Sequence, residues 1–194
     1  LQEEPDQRDM GNWLHEVLKC FHEARRDARP GEQADREALD RWAAEVSSRM
    51  GLGSEEGAAG FLPYSAQWPA LRDGYLQWLA GHEAGGPRFW QAERPHQAAA
   101  GAWRLHGTLD RIDVQGSPEG DIPFVIDYKT ESRGRTRDRL KTPLEDTQLA
   151  FYAALMPGQT LRAAYLSISD SRDPKEPATA LIEHVDVLTA RDAL

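Results

Sequence analysis

Residues 124–131 read FVIDYKTE, and this stretch decides how the rest of the chain is interpreted. Its apolar start indicates a β-strand that is covered on both faces. The strand ends in an acid and a base, Asp127 and Lys129, which point the same way because side chains alternate along a strand; Tyr128 points to the opposite face. Buried charges are costly unless they are compensated. The pair is therefore either a satisfied ion pair at a strand end or part of a functional site.

The segments around this strand predict the remainder of a sheet. PRFWQAERP (87–95) and AWRLHGTLDRIDV (102–114) are bounded by turn residues and predict two antiparallel strands. The turn sequence GSPEGD (116–121) leads into the strand at 122–130. A polar loop should follow, then a helix over 144–156 and two final strands, LRAAYLSIS (161–169) and ALIEHVDV (180–187).

Three helices are predicted before the sheet. Apolar residues recur at helical spacing from about 11 to 28, from 39 to 50 and from about 65 to 82, and the glycine-rich stretch GLGSEEGAAG (51–60) should close the second helix. The order of elements predicts an α/β fold in which a central mixed β-sheet is flanked by helices, with extra N-terminal helices. We expect a single domain over 1–194 with a helical insertion at about 32–82.

Composition narrows the class of protein. The chain has 194 residues, a net charge of -9 and one cysteine, Cys20, so it can form no internal disulfide. No apolar run is long enough to span a bilayer, and the acidic N-terminus is unlike a signal peptide. We expect a cytoplasmic protein with no membrane association. The chain starts without Met, which suggests a domain excised from a longer protein.

A second carboxylate is expected beside the first. The sequence GTLDRID (107–113) places Asp110 on the strand predicted to neighbour the one that carries Asp127, after a glycine that admits close backbone approach. Two converging carboxylates repel each other unless a cation lies between them, and a hard divalent ion with oxygen ligands is the simplest such cation. The alternative for Asp110 is a surface ion pair with Arg111.

Three further polar residues fit the same hypothesis. His15 lies beside the apolar stripe of the first helix and could supply an imidazole to the metal, although it could equally be a flanking residue. Gln148 and Tyr152 are four apart and share one face of the predicted helix. They could hold a phosphate or steady Lys129, or Tyr152 could simply pack in the core.

These motifs have a recognisable order along the chain: GNWLH (11–15), GTLDRID (107–113), VIDYKT (125–130) and QLAFY (148–152). Together they resemble the RecB-like branch of the PD-(D/E)xK nuclease superfamily, a module often found at the C-terminus of bacterial helicase-nuclease and related DNA-repair proteins. The resemblance covers most of the chain. The resemblance implies a restriction-endonuclease-like core and a metal-dependent DNA nuclease that acts as an exonuclease. It also implies that the domain belongs to a larger repair protein.

The resemblance also implies roles for individual residues. Mg2+ or Mn2+ would be bound by His15, Asp110, Asp127 and the backbone carbonyl of Tyr128, while Lys129 assists the attacking water. Gln148 and Tyr152 match the helix motif of the family, and Glu93 matches an acid that some relatives carry on the preceding strand. Some relatives also hold an iron-sulfur cluster on several cysteines; Cys20 alone cannot, so a cluster-free member is implied. The alternative function is a nuclease-fold module that binds DNA or a partner subunit without cutting.

A basic stretch follows the predicted metal ligands. Residues 131–141, ESRGRTRDRLK, have a net charge of +3 in an acidic chain. Charge runs are usually solvated loops. The position of this one suggests that Arg133, Arg135, Arg137 and Arg139 contact DNA phosphates.

Overall fold

The computed structural model describes residues 7–26, 28–52, 55–141, 147–156, 158 and 160–194. Its helices and strands follow in the order α1 (Gln7–Arg25), α2 (Glu32–Arg49), α3 (Glu55–Ala84), β1 (Arg88–Ala100), β2 (Trp103–Gln115), β3 (Ile122–Lys129), α4 (Arg133–Arg139), α5 (Gln148–Ala154), β4 (Arg162–Ile168), β5 (Thr179–Glu183) and α6 (Val187–Asp192). No helix among the described residues is both long and apolar enough to cross a membrane.

The five strands form one mixed sheet in the order β1-β2-β3-β4-β5. β3 and β4 pair in parallel, and the other neighbours are antiparallel. The parallel pair requires a crossover, which carries α4 and α5. The predicted mixed sheet flanked by helices is therefore confirmed.

Two apolar layers cover the sheet, one on each face. Phe124 and Ile126 of β3 pack with the N-terminal helices, and Val125 packs with α5 on the opposite side. All three side chains are at most 1% exposed, which confirms that this strand is covered on both faces. Burial at this density makes β3 a rigid support for the polar residues at its end.

The third helix is longer than the sequence predicted. We expected residues 51–60 to form a connection, but α3 already begins at Glu55 and continues to Ala84. Glycine lowers helix stability by only about 1 kcal/mol per residue and does not forbid a helix. Further along α3, Tyr64, Leu71, Tyr75 and Leu79 are all buried, and this packing offsets the poor propensity of the start.

Near the crossover, one predicted segment was wrong and one helix was confirmed in part. The polar loop expected after β3 contains the helix α4, which Ser132 caps by accepting a hydrogen bond from the backbone amide of Arg135. The helix expected over 144–156 is observed from Gln148 to Ala154, and residues 142–146 lie outside the described residues. The capping serine favours a helix at this position, whereas the sequence prediction considered only the charges of residues 131–141.

The C-terminal strand is shorter than predicted. β5 ends at Glu183, so His184 follows the strand, and α6 begins at Val187, within the expected strand. The alternating apolar pattern continues through Val185 and Val187, but the side chain of Val185 is 84% exposed, whereas Val187 is buried. The alternating pattern therefore led us to predict strand for residues 184–187, which form a turn and the start of α6.

Candidate active site

Asp127 and Lys129 lie together at the end of β3. The Nζ atom of Lys129 is 2.7 Å from Oδ2 of Asp127, and their side chains are 17% and 3% exposed. Tyr128 points into the opposite layer, where its ring is buried. The acid and the base therefore lie on one face of β3, as the alternation of side chains along a strand predicted.

Asp110 reaches the same position from β2. Pairing between β2 and β3 ends at Arg111 and Ile126, and Asp110 is the next residue outward. Its Oδ2 accepts a hydrogen bond of 2.9 Å from the backbone amide of Tyr128, and its carboxyl group is in hydrogen-bonding contact with that of Asp127. The two carboxyl groups therefore converge, as predicted.

The glycine before Asp110, Gly107, was predicted to admit close approach, and Gly11 on α1 is a second glycine near the site. A Cβ atom at Gly107 would lie 2.6 Å from Cδ1 of Leu155, so a larger residue at this position on β2 would displace the end of the Leu155 side chain. A Cβ atom at Gly11 would lie 3.5 Å from Oγ1 of Thr130, an ordinary contact. The close approach at Gly107 is therefore made by a side chain at the C-terminal end of α5 and not, as was predicted, by a backbone.

Helix α1 brings His15 to the carboxyl groups. Its Nδ1 atom is 3.6 Å from Oδ1 of Asp110, and the imidazole ring packs edge-on against the ring of Tyr128 at 5.5 Å between centroids. The imidazole also contacts the backbone of Tyr128. The peptide group of Tyr128 therefore lies between the imidazole on α1 and the carboxyl group on β2.

Helix α5 closes the other side of the site. Lys129 Nζ donates a 2.6 Å hydrogen bond to Oε1 of Gln148, and Nε2 of Gln148 donates a 2.8 Å hydrogen bond to the hydroxyl of Tyr152. The hydroxyl is also in contact with the carboxyl group of Asp127. These contacts agree with the alternative in which Gln148 and Tyr152 steady Lys129.

Burial and mutual repulsion govern the electrostatics. Burial, together with the charge of Asp110, raises the pKa of Asp127 to about 7, and burial raises the pKa of Asp110 to about 6. Burial lowers the pKa of His15 and raises that of Tyr152 to about 12. Two basic groups lie within 4 Å of these carboxyl groups, Lys129 Nζ beside Asp127 and the His15 imidazole beside Asp110.

Glu93 lies on the flank of the site. It is on β1, has a positive φ of 42°, and its Oε2 is 3.9 Å from Nζ of Lys19. Its charge acts on both His15 and Asp110, which establishes that it is near them. A left-handed backbone inside a strand is strained for a residue with a Cβ atom.

The four arginines after β3 do not form one row. Because they lie on α4, Arg133 and Arg137 share one side of the helix, while Arg135 and Arg139 share another. Arg135 and Arg139 line a cavity of about 370 Å³ together with Arg8, Asn12, His15 and Lys129. Arg139 also forms an ion pair with Glu131, Nε to Oε1 at 2.7 Å.

Sequence reasoning missed a buried charged cluster behind the site. The fully buried Arg111 donates to Asp113 from Nε and Nη2 at 2.6 and 2.8 Å, and its Nη1 donates to the hydroxyl of Tyr75 at 2.9 Å. His82 contacts Asp113 at 2.7 Å, and His22 lies 3.0 Å from Arg111. The predicted alternative, a surface pair of Arg111 with Asp110, is wrong. Alternation along β2 was the available signal, since it places Arg111 and Asp113 on one face.

The donor atoms suit a hard divalent cation. Oδ2 of Asp127 is buried and has no well-directed hydrogen bond within the described residues, despite the proximity of Lys129. Two carboxyl groups and a backbone carbonyl are the oxygen ligands that Mg2+ and Mn2+ prefer. Within the described part of the chain, however, no three His, Cys, Asp or Glu side chains form a preformed metal-binding group. The shell would therefore need the carbonyl and a small shift of side chains.

The fold and these residues define a class of protein. A mixed five-stranded sheet flanked by helices, with one carboxyl group near the end of β3 and another on β2 where its pairing with β3 ends, is consistent with the restriction-endonuclease-like α/β fold. The family model of the PD-(D/E)XK nuclease superfamily matches residues 1–192, so the chain belongs to this superfamily. A search of curated proteins found no similar sequence. Members of the superfamily typically use divalent metal ions.

Proposed function

We propose that this domain is a divalent-metal-dependent deoxyribonuclease that hydrolyses phosphodiester bonds. One observation carries the proposal: two buried carboxyl groups from neighbouring strands meet beside a lysine and an imidazole. Because the chain belongs to a nuclease superfamily, we interpret this cluster as a site for phosphodiester hydrolysis. The cavity beside it is lined by three arginines, which suits a phosphate-bearing substrate.

Each side chain then has a role. His15, Asp110, Asp127 and the carbonyl of Tyr128 would hold Mg2+ or Mn2+, with Glu93 as a more distant acid. The metal ion, when bound, lowers the pKa of a water molecule and offsets charge on the scissile phosphate. Lys129 orients the attacking water, and its ammonium group offsets negative charge that develops on the phosphate.

The two residues of α5 act through the lysine. Gln148 accepts a hydrogen bond from Lys129 Nζ and is itself held by the hydroxyl of Tyr152. This chain of contacts restricts where the ammonium group can point. Gln148 and Tyr152 are therefore positioning residues for Lys129, and losing either should lower the rate of cleavage more than the affinity for DNA.

The decisive experiment is a cleavage assay on single-stranded and double-stranded DNA with added Mg2+ or Mn2+, beside an Asp127→Ala variant. The proposal expects cleavage by the wild type that EDTA stops and that the variant lacks. The alternative function, a silent nuclease-fold module that binds DNA or a partner subunit, expects DNA binding by both proteins and cleavage by neither. Cleavage by the variant at the wild-type rate would refute the assigned site.

Metal preference provides a further expected result. An imidazole ligand is softer than Mg2+ prefers, so Mn2+ should support cleavage at least as fast as Mg2+. Replacing His15 by aspartate removes that softer ligand and should shift the ratio of the two rates toward Mg2+. The measurement is a titration of each metal ion at a fixed DNA concentration, and no response of the wild type to Mn2+ would contradict the assignment of His15.

The basic helix provides a matched pair of variants. Arg135→Ala should weaken DNA binding by a few-fold and reduce the slope of log affinity against log salt by roughly 0.7–0.9, because one phosphate contact is lost. Arg137→Ala, on another side of α4, should leave the slope unchanged. Fluorescence anisotropy at several salt concentrations measures both. Equal slopes for the two variants would remove Arg135 from the DNA-binding surface.

The wider context is part of the same proposal. The order of the motifs supports the RecB-like branch, in which such domains belong to larger helicase-nuclease or repair proteins and act as exonucleases. The single domain with a helical insertion at about 32–82 and the origin from a longer chain are part of this assignment. The proposed cluster-free state rests on the single cysteine, and the proposed cytoplasmic location rests on the composition. Size-exclusion chromatography of the domain with candidate helicase segments of the parent protein would test it.

A further inference from the structure

The β1–β2 hairpin extends well beyond the sheet. β1 and β2 pair with each other along their whole length, from Arg88 opposite Val114 to Ala100 opposite Trp103. β3 pairs only with the inner end of β2, from Arg111 to Gln115. Residues 94–109 therefore form a two-stranded ribbon, which we call the hairpin arm. Two strands alone are only marginally stable, so a ribbon of this length needs support from another element.

The base of the hairpin arm is anchored beside the site. Asp110 is the residue that follows the arm on β2, and Leu109 belongs to the apolar layer under α5. Gly107 packs against Leu155 so closely that no larger residue fits without displacing it. The arm thus starts at the carboxyl groups described above and is held in direction by α5.

The tip of the hairpin arm is exposed, aromatic and basic. The side chain of Trp103 is 78% exposed, and the residue opposite it is Ala100, whose side chain is too small to cover an indole ring. The next residue, Arg104, is also exposed. Residues 94–109 contain two arginines and no acid, whereas the whole chain carries a net charge of -9.

We propose that the hairpin arm holds a single-stranded segment of the DNA substrate by stacking an unpaired base on Trp103 and contacting a phosphate through Arg104. Trp103 and Arg104 point to opposite faces of the ribbon at its tip, so a strand that passes around the tip can contact both. Aromatic stacking combined with a basic group, with no acid among residues 94–109, is the combination that binds single strands irrespective of sequence. A duplex hides the faces of its bases, so the partner is a single strand. This inference rests on the proposed nuclease function and adds the form of the substrate.

The length of the hairpin arm sets a minimum length for the substrate. Trp103 and Asp110 are seven residues apart on one strand, which corresponds to roughly 23 Å at about 3.3 Å per residue. Stacked nucleotides repeat at about 3.4 Å along one strand, so roughly seven nucleotides connect the two positions. A four-nucleotide strand is too short to contact the arm and the carboxyl groups at once.

The test is anisotropy with a labelled 20-nucleotide single strand in EDTA, where no metal-dependent cleavage interferes. Trp103→Ala should bind about tenfold more weakly, Trp103→Phe should bind within about threefold of the wild type, and Arg104→Ala should lower the salt slope by roughly 0.7. Trp90→Ala is the control, because Trp90 is also exposed, at 49%, but lies outside the arm. Unchanged melting temperatures exclude misfolding as the cause.

Cleavage assays separate this inference from the proposed function. With Mg2+ or Mn2+, Trp103→Ala should cut a four-nucleotide strand at the wild-type rate and the 20-nucleotide strand with about tenfold lower kcat/KM. Wild-type binding of the 20-nucleotide strand by Trp103→Ala, or an equal loss on blunt duplex, overturns the role of the arm and leaves the nuclease assignment intact. Binding that depends on Trp103 without any cleavage by the wild type supports the arm and refutes the nuclease.

Discussion

Replacing Lys129 by methionine is expected to lower the rate of DNA cleavage by about 10²–10³-fold, the range typical of removing one group that stabilises charge in the transition state. Methionine has a similar length but no charge. The ammonium group is 2.7 Å from Asp127, 2.6 Å from Gln148 and 5.2 Å from the centre of the Tyr165 ring, so its position is well determined. Single-turnover rates at saturating metal concentration measure the chemical step without a contribution from metal affinity.

Lys175→Met is the matched control, because Lys175 is exposed in the loop between β4 and β5, away from the carboxyl groups. It should cleave like the wild type. Lys129→Met should retain most of its DNA affinity, since one charge among the several basic groups of the cavity is lost. A Lys129→Met rate within tenfold of the wild type would show that Lys129 only balances the charge of Asp127.

Replacing Asp127 by asparagine should stabilise the metal-free protein at alkaline pH while it abolishes cleavage. The folded-state pKa of Asp127 is raised from 3.8 to about 7. Between these values the folded state holds a proton that the unfolded state has released, so the free energy of unfolding falls as the pH rises. Each pH unit in that window costs about 1.4 kcal/mol, which amounts to roughly 4 kcal/mol by pH 8. Asparagine does not ionise, so the free energy of unfolding of the variant should not fall for this reason.

Thermal unfolding in EDTA from pH 4 to pH 9 measures this effect. The wild type should lose stability between about pH 4 and pH 7, and Asp127→Asn should lose clearly less. Asp192→Asn, at a carboxyl group that is 69% exposed, should follow the wild type. Added Mn2+ should raise the melting temperature of the wild type at pH 8 but not that of Asp127→Asn. If the two proteins respond equally to Mn2+, Asp127 is not a ligand.

Most of the sheet could be predicted because its signals are local. The buried run before Asp127, the turn at 116–121 and the alternation on β2 each depend on a few adjacent residues. The errors arose where one local signal competed with another. Glycines at 51–60 suggested a connection, but packing further along α3 favoured a helix, and the charges of residues 131–141 concealed the capping serine of α4.

The site was predictable in part for the same reason. Alternation placed Asp127 and Lys129 on one face, and helical spacing placed Gln148 and Tyr152 together. The burial of Arg111 was not apparent, since a charged residue next to an acid is usually at the surface. Nor could the sequence show that Arg135 and Arg139 line the cavity while Arg133 and Arg137 lie on another side of the helix.

The sequence alone determined which residue types alternate, which recur at helical spacing, and which acids and bases follow a buried strand, because these are properties of neighbouring residues. The tertiary structure decided which of them meet. The distance of 3.6 Å between Nδ1 of His15 and Oδ1 of Asp110 depends on contacts between segments far apart in the chain. The same is true of the meeting of the two carboxyl groups near the end of β3 and of the length by which the hairpin arm extends beyond β3. Such contacts are settled by the packing of the whole domain, which local patterns do not encode.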